Sequence, residues 1–267
     1  MTSRSRTAAA AVAMVVALTA PAGVSAQAAP LPAAAPAAAP AVGAASVDTD
    51  EKIRLAARLA REVTKRGDRD AGVHAIEHVR ELQYRLRWAG VYSGPISGRY
   101  RGWTANAVKR FQRKADLRVT GRAGHGTWAV LIKRTTRGER AMPYRCRNGI
   151  GWHACYDRGR HQLTLWHRDK LWNAWLVRGG SASNKTRVGT FSVFRRHRHH
   201  VSGLYGSPMP WSQFFSGGQA FHGSSLMMNP FVGHSHGCVN MYNEDARQLW
   251  RITHRVNLNV HVYGPWS

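Results

Sequence analysis

A cysteine and an upstream histidine sit within the twenty residues FHGSSLMMNPFVGHSHGCVN, from Phe221 to Asn240. Cys238 follows Ser235, His236 and Gly237, while His222, followed by Gly223, lies 16 positions upstream. A thiol attacks carbonyls as its thiolate, and the usual group that takes its proton is a neighbouring imidazole. Asn229-Pro230 and Gly233 interrupt the interval, so the chain can turn back and bring His222 against Cys238. Gly237 lets the backbone pass close to a substrate carbonyl, where the amides of Gly237 and Cys238 would hold an oxyanion. His236, two residues from the thiol, is the competing base, or else a satisfied core histidine. A lone cysteine in an exported chain is more often inert than nucleophilic. The glycine beside the thiol and the upstream His-Gly favour the nucleophile. The chemistry is thiol-dependent acyl transfer, which requires neither metal nor cofactor.

His-Gly, a spacer, then Ser-His-Gly-Cys-hydrophobic-Asn resembles the signature of the L,D-transpeptidase (YkuD-type) catalytic domain, with the resemblance covering about 154–264. It implies that Cys238 is the nucleophile and His222 its base, with the backbone carbonyl of Gly223 orienting the ring. His236 and Gly237 would complete the catalytic turn, with Ser235 and Asn240 facing substrate; many members carry Arg where this chain has Asn240. The implied function is an exported peptidoglycan L,D-transpeptidase that forms 3→3 cross-links through a cysteine thioester. Two alternatives stay open: a thiol L,D-carboxypeptidase, with water as the acceptor, and a non-catalytic wall-binding protein.

The elements that must position these residues read as strands. Alternating runs occupy 162–166, 170–177, 190–194 and 256–262, each bounded by turn residues, and only 243–253 has helical spacing. The pattern predicts a mostly β sandwich or barrel. Residues 208–215, with Met209, Trp211, Phe214 and Phe215, would line a substrate groove or belong to the core. The densest basic run, 195–200, reads as a solvated loop touching anionic polymer rather than as a histidine metal site, since its three arginines would repel a cation.

Ahead of this region lies a helical stretch. Residues 48–66 carry apolar side chains at helical spacing. Val79, Leu82, Leu86 and Trp88 mark a second helix, Thr104 is read as the cap of a third, and Thr127 as the cap of a fourth. Leu82-Gln83-x-x-Leu86, Gly90, Gly98, Gly102-x-Thr104, Phe111-Gln112, Thr120-Gly121 and Thr127-Trp128 resemble the peptidoglycan-binding type 1 domain. That resemblance implies a module that holds wall glycan and performs no chemistry. The fold expected is α+β and multidomain, a small three-helix peptidoglycan-binding module followed by the mostly β catalytic domain.

Composition sets the surroundings. The net charge is +25, carried by 32 Arg and 7 Lys, which implies polyanionic neighbours. Arg4 and Arg6 precede an apolar run ending at Ala20, and Val24-Ser25-Ala26 offers a cleavage site, so 1–26 reads as a secretory signal. Its apolar run is too short to span a bilayer, for which about 20 residues are needed. Export argues against nucleic acid as a partner and leaves anionic wall polymers, stem peptides and glycan. Residues 27–47, rich in Ala and Pro, form a spacer. The expected domains are then 48–137, helical, and 138–267, catalytic. Cys146 and Cys155, nine positions apart in an exported chain, are expected to form a disulfide, with Cys238 left free.

Overall fold

The computed structural model describes residues 58–59, 61–136 and 142–266. The expected signal (1–26) and spacer (27–47) lie outside the described residues, as do 48–57, 60, 137–141 and 267. None of the described helices is long and apolar enough to cross a membrane.

Three helices open the described chain: α1 (Val79–Trp88), α2 (Gly102–Lys114) and α3 (His125–Thr135). Leu82 and Leu86, Val108 and Phe111, Trp128 and Leu131 meet in one apolar core, as their spacing predicts. The helix expected over 48–66 does not reach Arg66. From Arg61 the chain is extended, and Thr64 pairs with Ala123 across two backbone hydrogen bonds. Those bonds to a loop replace the ones a helix would have made.

Thr104 and Thr127 are not helix caps. Arg101 and Gly124 occupy the capping positions, and each threonine is the third residue of its helix. Both instead receive a buried glutamine. Gln83 Nε2 donates to Thr104 Oγ1 at 3.1 Å and to Arg99 O at 3.1 Å, while its Oε1 accepts from Gly98 N. Gln112 Nε2 donates to Thr127 Oγ1 at 3.1 Å and to Arg122 O at 2.9 Å, while its Oε1 accepts from Gly121 N. The two glutamines do the same work one helix apart. Each satisfies the amide and carbonyl of a loop whose glycine has positive φ, 67° at Gly98 and 70° at Gly121.

The rest of the chain is mostly β. A short helix α4 (Tyr144–Asn148) leads into β1 (Trp152–Asp157), β2 (Gln162–His167) and β3 (Lys170–Leu176). There follow β4 (Gly189–Ser192), β5 (Arg195–His197), β6 (Ser212–Ser216), β7 (Gln219–Gly223) and β8 (Val239–Met241). Helix α5 (Asn243–Thr253) and β9 (Leu258–Tyr263) close the domain. One sheet has the order β3-β2-β1-β9-β4 and the other β5-β6-β7-β8. Their inward residues, among them Tyr156, Leu163, Trp175, Phe221, Val239 and Val260, share a core with Ala246 and Leu249 of α5. Cys146 of α4 and Cys155 of β1 are joined by a disulfide.

The two regions share buried contacts. Arg61 Nη2 and Arg85 Nη2 both donate to the Ala174 carbonyl on β3, at 2.8 and 3.0 Å. Their charges are met by Glu81, 3.1 Å from Arg61 Nε and 2.7 Å from Arg85 Nε. Burial opposes ionisation of Glu81, but the Arg61 and Arg85 guanidiniums hold its pKa at about 2. Beside them, His78 places Nδ1 2.6 Å from Glu62 Oε1 and Nε2 3.2 Å from Asp245 Oδ1 on α5. Both ring nitrogens face carboxylates, so the ring is an imidazolium; against burial, Asp245 and Glu62 raise its pKa. His78, Glu81 and Asp245 cluster closely enough to suggest cation ligands, but Arg61 and Arg85 already supply the positive charge there.

The first half of the basic run is an edge strand, while 198–200 lie in an irregular and mostly exposed segment as expected. Residues Arg195–His197 are β5, paired with β6, and Arg195 lies over the Phe214 ring at 4.5 Å. Apolar and hydrogen-bonding partners on β6 fix a segment whose charge alone suggests a solvated loop.

Candidate active site

Parallel pairing of β7 with β8 builds the site. Phe221 is opposite Val239 and His222 opposite Asn240. Side chains alternate faces along a strand. Cys238, one residue before Val239, therefore shares a face with Ala220 and His222 and not with Phe221. Parallel strands need a long connection, and residues 224–238 supply it. This is how a 16-residue separation places Cys238 and His222 on one face of neighbouring strands, with the thiol donating to Gly218 O at 3.6 Å.

Cys238 and His222 both line a cavity of about 740 Å³, together with Arg178, Lys185, Arg195, His200, Gln219 and Asn240. No carboxylate lines it, so the cavity suits an anionic ligand. Cys238 is half-buried against Met209, Phe214 and Ala220. That burial pushes the thiol pKa up. Burial likewise pushes His222 down to about 4, against the bond it makes to Gly223. Burial thus favours the neutral form of both the thiol and the imidazole.

His222 Nδ1 donates to the Gly223 carbonyl at 2.7 Å, which leaves Nε2 as the basic nitrogen. Gly223 is packed so closely that an added Cβ would lie 3.2 Å from Pro210 Cγ and 3.2 Å from Asn243 Cα. The strand holding that carbonyl is thereby fixed.

The cysteine turn is held from within. Ser235 Oγ accepts from Gly237 N at 3.0 Å and donates to Cys238 O at 2.6 Å. Gly237 N–H is thus engaged in the turn, which corrects the expectation that it would hold an oxyanion. Among the described residues the Cys238 amide makes no such bond. Ser235 lines the cavity, but its hydroxyl shapes the nucleophile's backbone. Gly237 has φ of 115°.

The other expected residues divide. Phe214 lines the cavity, and Asn240 does too, with its Oδ1 buried and unpartnered. Trp211 does not line it. Its ring packs 6.0 Å from Trp250 of α5 and lies under Arg198 at 5.0 Å, so it stands outside the groove in which it was expected. His236 lines the cavity mouth, exposed and stacked on Tyr205 at 4.1 Å. It is no core histidine. Sequence reasoning missed Arg178, which lies just beyond β3 in a stretch that carries no motif. Its backbone pairs with Asn240, on the rung that also holds His222.

A spore cortex-lytic enzyme of Bacillus cereus is 45% identical over 60 residues, which are 22% of this chain and 23% of that protein. The chain thus spans about a quarter of the length of the curated relatives it matches. An L,D-transpeptidase structure from Stackebrandtia nassauensis aligns with 22% identity and a TM-score of 0.49, covering 78% of this chain and 95% of that one. One from Xylanimonas cellulosilytica aligns with 25% identity and a TM-score of 0.44, covering 76% and 98%. Two family models match, the putative peptidoglycan binding domain at 77–131 and the L,D-transpeptidase catalytic domain at 151–262. The chain carries a peptidoglycan-binding domain followed by an L,D-transpeptidase catalytic domain.

Proposed function

We propose that the protein is an exported cysteine acyltransferase that forms 3→3 cross-links between peptidoglycan stem peptides. The observation that carries this reading is Cys238 and His222 lining one carboxylate-free cavity, with His222 Nε2 left as the base by the Nδ1 bond to Gly223.

Cys238 Sγ attacks the carbonyl of the third residue of a tetrapeptide donor as His222 Nε2 takes the thiol proton. The oxyanion is held by the Cys238 amide. As the intermediate collapses, the proton passes from His222 to the amine of the departing D-alanine, and a thioester remains on Cys238. An amine of a second stem then attacks the thioester, losing its proton to His222. The thiolate departs, recovers that proton, and the peptide bond is complete. The helical module keeps the enzyme on the glycan, and the disulfide suits an oxidising compartment outside the membrane. The proposed boundaries remain 1–26 for the signal, 27–47 for the spacer, 48–137 for the binding module and 138–267 for the catalytic domain.

Incubation with purified tetrapeptide wall fragments, followed by mass spectrometry, tests this reading. A dimer that has lost one D-alanine is expected. A tripeptide without any dimer would make water the acceptor, and no loss of D-alanine at all would overturn acyl transfer.

A further inference from the structure

The stretch 224–234 leaves β7 beside His222 and returns at the cysteine turn. Its two ends belong to the catalytic cavity, which Ser224, Leu226 and His234 line. Its middle belongs elsewhere. Met227 is fully buried against Ile76 and Tyr242. The Tyr84 hydroxyl donates to Asn229 Oδ1 at 3.1 Å. The Phe231 ring lies 4.3 Å from that of Tyr84 and 6.0 Å from that of Trp88. Tyr84 and Trp88 are on α1, the first helix of the peptidoglycan-binding region. The loop is strung between the cavity and the helix.

A second tie runs inward. Arg178 Nη1 donates to Leu226 O at 3.2 Å and to Val232 O at 3.3 Å, one on each side of the loop's tip. The same side chain lines the cavity, and its backbone is paired with Asn240 opposite His222. A loop outside any sheet takes its shape from what it touches. This one touches α1 and Arg178, and also His161, whose ring lies 4.9 Å from that of Phe231, and Tyr242, whose hydroxyl donates to Met228 O at 3.2 Å.

We infer that Tyr84 and Trp88 of the wall-binding helix are positioning residues for the catalytic cavity, acting through Asn229 and Phe231 on the loop whose ends form its wall. The inference deepens the acyl-transfer reading and rests on it. Loss of the aromatic contact loosens the Phe231 side of the tip, and with it the Val232 carbonyl that holds Arg178, while Met227 and the Tyr242 bond to Met228 O keep the other side in place. The nucleophile's own turn is untouched, since Ser235 fixes it from within. Substrate binding should therefore suffer while the thiol stays as reactive as before.

The full-length chain carrying Phe231→Ala tests this, with KM and kcat read from D-alanine release and Cys238 reactivity read from alkylation by iodoacetamide. KM should rise by about tenfold or more, the scale on which misplaced contacts act. The kcat value and the alkylation rate should stay close to wild type, and Phe231→Tyr should recover most of the KM. A wild-type KM in Phe231→Ala overturns the inference. Should that variant fail to fold, Tyr84→Phe removes only the bond to Asn229 and should still raise KM, and an unchanged value again overturns it. If the wild-type protein releases no D-alanine, the acyl-transfer reading alone has failed, and hydrogen exchange of 224–234 decides the bracing. Faster exchange in Phe231→Ala supports it, and unchanged exchange overturns it.

Discussion

His222 Nδ1 donates to the carbonyl oxygen of Gly223, its own neighbour in sequence, at 2.7 Å. The bond sets the tautomer, because a nitrogen that donates here cannot also be the base. A strand would ordinarily send that carbonyl into its ladder. Here β7 ends at Gly223, and the backbone is free to serve the ring.

On the acyl-transfer reading proposed above, Cys238 and His222 act as a unit. Cys238→Ser should abolish acyl-enzyme formation, since an imidazole of depressed basicity activates a hydroxyl poorly. His222→Ala should slow it by about 10²–10⁴-fold, the usual worth of general-base assistance. The double variant should be little worse than either. Acylation by a carbapenem, followed by mass spectrometry, reads all three. If His236→Ala removed acylation while His222→Ala kept it, the base would be misassigned.

Acid should inactivate late. His222 is held down to about 4, so it remains an available base until the pH falls to about 4. The acid limb of kcat/KM should lie near there, well below the ordinary histidine range. Burial raises the Cys238 thiol, so alkylation should keep accelerating above the ordinary thiol range. An acid limb centred at the ordinary histidine value of about 6.5 would contradict this electrostatic account.

Gly237→Ala should be costly although it adds one methyl. The residue has φ of 115°, and an added Cβ would lie 2.5 Å from Gln219 Nε2. Gln219 cannot step aside freely, because it bonds both Lys185 O and Arg187 N. Relief would have to come from the cysteine turn, and a loss of about 10²-fold in kcat/KM is expected. A variant of near wild-type activity would show that the turn tolerates the shift.

A histidine pair on the other sheet should make stability pH-dependent. His153 Nε2 donates to Ile150 O at 3.0 Å, so its Nδ1 accepts from His261 Nε2 at 3.0 Å, and His261 Nδ1 accepts from Thr190. The chain of bonds needs both rings neutral. Burial, then His153, lowers His261 to about 4. A depressed pKa means the unfolded chain takes up the proton first. The contribution is whole above about 6.5, declines as pH falls through that value, and is gone near 4. Thermal melts across this range should show the decline, and His261→Gln should flatten it. A Tm independent of pH in the wild-type chain over that interval would refute the assignment.

Much of this was legible in the sequence. Hydrophobic spacing located α1 to α3 and α5, alternation located β2, β3 and β9, and the glycine beside Cys238 marked the turn. Other features depended on partners far along the chain. Arg61 to Arg66 have helical spacing, but Thr64 finds its hydrogen bonds at Ala123. Trp211 reads as groove aromatic or core, and α5 claims its ring for the core. Arg178 sits in no motif and gains its place only when β8 pairs beside it. A module released by cutting near Arg140 also looks feasible from sequence. The structure argues against a simple cut, because Arg61 and Arg85 both end on the carbonyl of Ala174.

That shared carbonyl bears on how such chains can be recombined. Transplanting another wall-binding region ahead of this catalytic domain would leave the buried Ala174 oxygen without its two guanidinium donors, while Asn173 would lose Arg61 but keep Ala174 N and Gln248. A buried polar group without partners costs about 1–3 kcal/mol. A working chimera would have to inherit Arg61, Glu81 and Arg85 with the graft, or change β3 to match. The segment exchanged in evolution would then be marked by these three side chains and not by where one motif ends and the next begins.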